Sequence, residues 1–399
     1  MQAEKVLHKL LQNTCSEMHQ TRRHSLHANV MAALSGQRLT VTDLGRAIQS
    51  ETSHKHNIKR ADRLLSNPHL HQETRTIYQR LSHQLIGSQV HPVILIDWSD
   101  MDDHKQHFVL RAALAVEGRA LTLYEEVHTL ETKEKLTTHQ QFLYRLKDVI
   151  PAHCCPVLVT DAGFRTTWFG LVGSLGWHWV GRVRNRHYMR WTTGGRWFDA
   201  KQCYATASAT PKHLGDGVLT QRNQIHCQLV IYKNKAKGRK HYNRFGEPAE
   251  NNYSRKKALG QREPWLLATS LPVTVKFAKR IIRIYKLRMQ IEEGFRDVKS
   301  HRSGLGLNYH RTASVVRLQV LLLLANLAMI VLWLLGLATV LSGQHYQFQA
   351  NSVRHKRVLS VVFVGLQMIQ QTKLILPDKI IKMAEQEFQC LLQQHRWVM

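Results

Sequence analysis

At 399 residues the chain is too long for one small core, and an apolar content of 43% is ordinary for a globular protein of two or three domains. Lys and Arg outnumber Asp and Glu 56 to 28, a formal charge of +28 that points to a polyanionic partner, DNA or RNA first, over a merely basic soluble surface. Six cysteines with no CxxC and no His at finger spacing argue against a zinc site, and a polar, charged N-terminus against a signal peptide, so free thiols in a reducing cytoplasm are expected.

Residues 1 to about 88 carry apolar residues at helical spacing and little β signal. Thr42 to Gln49 reads as a short helix with a cap at its start, and Lys55 to Leu65 as a second helix after a turn through Ser50 to Ser53. Two short helices with a tight connection resemble a helix-turn-helix. The second bears Lys55, Lys59, Arg60 and Arg63 for phosphates, with His56 or Asn57 at base edges; a solvated basic helix is the alternative.

Pro92 to Asp97 is a run of β-branched and apolar residues that reads as a buried strand ending in an acid. His107 to Val116 and Ala120 to Val127 are two more strands around a turn at Glu117-Gly118-Arg119, and Lys133 to Ile150 has helical periodicity. Pro156 to Asp161 is a second buried strand ending in Asp. A helix over Thr166 to Leu175 and a strand over Trp177 to Arg184 follow. The order is β-β-β-α-β-α-β.

From Asn185 to about Leu271 short β-like runs appear, among them Gln224 to Tyr232 and Trp265 to Thr269, around a basic loop at Lys233 to Lys257. This predicts a β-rich insertion with a mobile arm bearing Lys235, Lys237, Arg239 and Lys240. A helix is predicted over Val275 to Arg302, and a break at Gly304 to Asn308 precedes an apolar run over Val320 to Leu341. That run is long enough to span a bilayer. It is the single such run, contains Asn326 and lies between basic segments, so a helix buried on all sides beneath a sheet is the reading adopted, with no membrane partner. A basic helical tail completes the chain.

Within the predicted helix, Tyr285, Glu292 and Lys299 recur every seven residues and so share one face, with Arg288 and Met289 on the same stripe. A core-facing helix would place apolar residues there; beside a metal ion and a phosphate this row makes chemical sense. Phosphodiester chemistry uses two divalent cations held by hard oxygen ligands. Asp97 and Asp161 end strands that would be neighbours in a β1–β4 pairing, and Glu292 would come from a helix packed across that edge. Strand-ending Asp residues are also common turn caps. Asp100, Asp102, Asp103, His104 and His107 form another candidate cluster, read as a solvated turn rather than a metal site.

LIDWSD with Asp97, VTDAGF with Asp161, and the spacing of Tyr285, Arg288, Glu292 and Lys299 resemble the DDE transposases of bacterial insertion sequences, in the subgroup marked by that Tyr-Arg-Glu-Lys signature. Asn57 to Pro68, Tyr232 to Lys240, EPWLLATSLP around Trp265 and GLGL at Gly304 to Leu307 extend the resemblance over nearly the whole chain. It implies an α/β fold: a ribonuclease-H-like catalytic core with a β-rich insertion, flanked by helical N- and C-terminal regions. The expected divisions are a transposon-end-binding domain at 1–88, core at 89–187, insertion at 188–272, catalytic helix at 273–310 and a helical C-terminal region at 311–399.

The resemblance further implies that Asp97, Asp161 and Glu292 bind two Mg²⁺ ions, with Mn²⁺ as a substitute. It gives Tyr285, Arg288 and Lys299 to phosphates near the scissile bond. Trp265 would receive a base flipped during hairpin formation, with Met289 filling the vacated space; packing in the core is the alternative for both. The implied partners are double-stranded DNA, both transposon ends and target, and a second protomer in the synaptic complex, on the nucleoid in the cytoplasm. A ribonuclease-H-like nuclease that does not join ends, or a DNA-binding regulator derived from a dead transposase, are the alternatives.

Overall fold

The computed structural model describes every residue except 1, 37, 185–186, 235–246, 248–250, 253–262, 354, 372–373 and 398–399. The expected basic arm with Lys235, Lys237, Arg239 and Lys240 lies outside the described residues. The N-terminal helices are α1 (Gln2–Thr14), α2 (Gln20–Gly36), α3 (Val41–Ala47), α4 (His54–Leu65) and α5 (Pro68–Ile86). Then come β1 (Val93–Asp100), β2 (His107–Ala115), β3 (Ala120–Thr129), α6 (Leu136–Val149), β4 (Val157–Thr160), α7 (Thr166–Ser174) and β5 (His178–Val183). Next are β6 (Tyr188–Trp191), β7 (Gly194–Asp199), β8 (Lys212–Leu219), β9 (Ile225–Tyr232), β10 (Trp265–Thr269) and α8 (Phe277–Leu287). The chain closes with α9 (Met289–Lys299), α10 (Val315–Leu341), α11 (Val361–Gln370) and α12 (Asp378–Leu392).

Two compact units result: Met1–Cys154 with Met289–Arg396, and Cys155–Arg288 with Trp397–Met399. In the first, β1, β2 and β3 form an antiparallel meander with β3 at its edge. Helix α10 covers that edge. Gln319 donates to the Glu125 carbonyl (2.7 Å) and accepts from the Val127 amide (3.0 Å), as a further strand would, and Asn326 reaches the Thr122 carbonyl at 3.4 Å. These bonds account for the Asn in an otherwise apolar run: an edge carbonyl left unpaired among Leu side chains would be costly. The helix is long and apolar enough to cross a membrane, but 89% of its most apolar window is buried inside the protein.

In the second unit β4 pairs parallel with β5, and β5 continues through β10, β9, β8 and β6 to β7, antiparallel throughout. The expected insertion thus adds its strands to the β5 edge, with Ala268 opposite Gly181. Helix α7 backs this sheet, with Phe169 stacked on Trp179 at 4.2 Å.

Three local expectations change. The strand with Asp97 does not end there but runs to Asp100, since its ladder with β2 continues to Phe108. The first helix of the helix-turn-helix is capped by Thr40 rather than Thr42, the Thr40 hydroxyl accepting from the Asp43 amide at 3.0 Å. The long helix at 275–302 is two helices, α8 and α9, parted at Arg288, whose amide bonds back to Tyr285 in a tighter turn.

Candidate active site

In the first unit α9 runs along β1 in the same sense, and its ties advance in step with the sheet. Near its start Gln290 accepts from the Val116 amide at 3.0 Å. Further on, Phe295 packs under the Arg111 guanidinium at 4.3 Å, and Arg111 stands opposite Asp97 in the β1–β2 register. At its end the Lys299 ammonium donates to Ser99 Oγ (2.8 Å) and to the Asp100 carbonyl. Ser99 lies two residues past Asp97, so both side chains leave the same sheet face. The helix carrying Glu292 therefore lies over the face carrying Asp97.

Asp97 is half-buried, and its Oδ1 accepts from the Trp98 amide at 2.9 Å. The Trp98 side chain leaves the opposite face and donates to His139 Nε2 at 3.2 Å. Burial pushes the His139 pKa down to about 4, so at neutral pH it is a neutral acceptor and an anchor for β1. Glu292 is exposed in the first turn of α9, where the helix dipole favours an anion. Lys299 is largely buried, and that burial lowers its pKa to about 8.

In the second unit Asp161 follows β4 directly, and its carboxylate accepts from the Gly163 amide at 2.8 Å. Tyr285, on α8, is buried, which raises its pKa; Arg288 beside it acts the other way. Trp265 lies half-exposed between Tyr232 (5.8 Å) and Tyr285 (5.1 Å, edge-on). Lys286 sits over the Tyr232 ring at 5.0 Å. Glu263 gathers Arg182, Arg184 and the Tyr204 hydroxyl. Burial would raise the Glu263 pKa, but the bonds from Arg184 and Tyr204 outweigh it and hold it low.

Tyr285 and Arg288 thus belong to one unit, with Asp161 and Trp265; Met289, Glu292 and Lys299 belong to the other, with Asp97. Among the described residues no three Asp, Glu, His or Cys side chains form a group that could hold a metal ion. A hard divalent cation is commonly held by one or two carboxylates completed by phosphate oxygens and water. The all-oxygen chemistry of Asp97 and Glu292 on facing elements fits that mode.

Residues 88–329 match the family described as Transposase DDE domain. The chain belongs to the DDE transposases. No curated protein matches it. The family acts on DNA, cleaves it, and generally uses divalent metal ions, and its ribonuclease-H-like fold agrees with the mixed α/β architecture here.

Two other groups singled out in the sequence resolve differently in this transposase. Asp102 closes its own turn, accepting from the Gln106 and His107 amides and from His107 Nδ1 at 3.0 Å. On α4, Lys55, His56, Lys59 and Arg63 are exposed and Arg60 is half-buried, but Asn57 is buried. Its Oδ1 accepts from Ser50 and Thr52, both at 3.0 Å, so it stitches the turn between α3 and α4 instead of facing a base edge. The helices cross so closely that a Cβ on Gly45 would meet the Ile58 Cα at 2.4 Å.

Arg111 and Glu125, on strands β2 and β3, went unremarked in the sequence. Both are buried, joined at 2.7 Å, with Glu125 also accepting from the Tyr78 hydroxyl at 2.9 Å. They stand seven residues either side of Gly118, so opposite charges symmetric about a hairpin turn were the available signal.

Proposed function

We propose that this transposase works by the cut-and-paste route of the Tyr-Arg-Glu-Lys subgroup, similar to the transposase of the tetracycline-resistance transposon of enteric bacteria. The observation that supports the reading is α9, the helix that bears Glu292, laid along β1 over the face that bears Asp97, with Lys299 tied at its end. Asp97, Glu292 and Asp161 would hold two Mg²⁺ ions, or Mn²⁺ in their place. These would supply Lewis-acid activation of the attacking and leaving oxygens. Arg288 and Tyr285 steady phosphates near the scissile bond, and Lys299 supplies a point charge. Water frees a 3′-OH at the transposon end, and that hydroxyl attacks the opposite strand to close a hairpin. A second water reopens the hairpin, and the 3′-OH then joins target DNA.

Trp265, flanked by two tyrosines, is the platform for the flipped base, with Met289 entering the gap. The helix-turn-helix at residues 40–66 reads the terminal repeats, with Lys55, Lys59, Arg60 and Arg63 on phosphates, and two protomers pair the two ends. The test is incubation with Mg²⁺ and DNA bearing the element's ends. A joined product and a hairpin intermediate are expected, and Trp265→Ala should nick but accumulate little hairpin. Cutting without joining would favour a plain nuclease; a cellular effect untouched by Glu292→Ala would favour a regulator.

A further inference from the structure

The Arg111–Glu125 pair is expensive to bury, since two desolvated charges seldom stabilise more than an apolar pair of the same volume. Its position shows what it does. Arg111 faces three elements. Its Nε and a terminal nitrogen hold one oxygen of Glu125 on β3, at 2.8 and 2.7 Å. Its own strand places it opposite Asp97 on β1. Its guanidinium lies over the Phe295 ring of α9 at 4.3 Å, and a Cβ built on Gly294 would lie 3.9 Å from its outer nitrogen. Gly294 is buried, and that distance is ordinary van der Waals contact, so the helix backbone and the guanidinium are direct neighbours. Glu125 is in turn held by Tyr78, so the guanidinium cannot swing away.

We propose that Arg111 is a positioning residue for the acid pair: braced by Glu125 and Tyr78, it sets the separation between the strand bearing Asp97 and the helix bearing Glu292. The proposal rests on the reading of those two acids as metal ligands. A planar guanidinium wedged between strand and helix fixes both distance and tilt, which a flexible chain of equal length does not. Arg111 is buried, so it acts through the elements packed against it.

The experiment measures Mn²⁺ affinity of the full chain by electron paramagnetic resonance, with thermal unfolding alongside. Arg111→Met should weaken Mn²⁺ binding roughly 10- to 100-fold, the range for groups that orient metal ligands. It should also lower the melting temperature, because the Glu125 carboxylate is left buried without its cation. The double variant Arg111→Met/Glu125→Leu should recover the melting temperature while Mn²⁺ binding stays weak. Where Arg111→Met does not fold, Arg111→Lys carries the comparison: it keeps the charge, loses the planar stack, and should bind Mn²⁺ less tightly than the natural protein. A double variant, or Arg111→Lys, with natural Mn²⁺ affinity would overturn the proposal, leaving Arg111 a packing residue only. Asp97→Asn with unchanged Mn²⁺ affinity would instead overturn the metal reading, and the proposal with it.

Discussion

Helices α9 and α10 lean on the same three-strand meander, one along β1 and the other along the β3 edge. Helix α10 turns apolar residues in almost every direction and uses its few polar side chains to finish the sheet's own hydrogen bonding. Helix α9 buries Ile291, Phe295 and Val298 but leaves Glu292 and Met289 exposed and stretches Lys299 along the strand end. One helix contributes to the stability of the unit; the other spends part of its surface on groups that packing alone does not need. Substitutions in α10 should therefore act on folding, and those on the polar stripe of α9 on chemistry.

The sharpest break would come from the acids. Asp97→Ala or Glu292→Ala should reduce strand cleavage about a thousandfold, several kcal/mol of lost transition-state stabilisation, with the melting temperature almost unchanged. A plasmid-nicking assay beside a melting curve checks both; a Glu292→Ala protein that nicks normally would collapse the distinction. Next in size, Leu323→Ala in α10 should destabilise by about 2–5 kcal/mol through a cavity, read by denaturant unfolding, while any protein still folded cleaves at the natural rate. Gln319→Ala should cost about 1–3 kcal/mol, since it strands one amide and one carbonyl of the β3 edge.

The smallest effect concerns pH. The Lys299 pKa is about 8 in the folded chain, below its ordinary value of 10.5, so from about 8 upward the folded chain holds fewer protons than the unfolded one. Between those limits its contribution makes stability rise with pH, whereas below 8 the burial penalty is in full force. The phosphate contact proposed for Lys299 would run the other way, weakening as pH climbs through 8 and the ammonium loses its proton. DNA affinity should show a modest step there that Lys299→Met lacks, measurable by fluorescence anisotropy at constant salt.

Most elements were legible because apolar period and turn chemistry agree: β10 spans Trp265–Thr269 as expected, and β2, β3, α6 and α7 differ only at their ends. The interruption at Arg288 was not legible, since good helix formers run through it and only backbone hydrogen bonding marks the turn. Asn57 looked like a reading-head residue because polarity on a basic helix says nothing about which face is buried; the hydroxyls of Ser50 and Thr52, in the turn just before the helix, decide that. The acids Asp97 and Glu292 stood out in sequence by the strand and the stripe that carry them. Arg111 did not, because a charge within an apolar strand gains meaning only once its cross-strand partner and the helix above it are known.

The closure of the β3 edge has a bearing on assembly. An outer strand whose amide and carbonyl are already occupied by Gln319 offers no template for a visiting strand, from this chain's twin or any other. Any pairing of two copies would therefore have to use surfaces other than sheet extension at β3, and overexpressed protein has one route to fibrous self-association fewer.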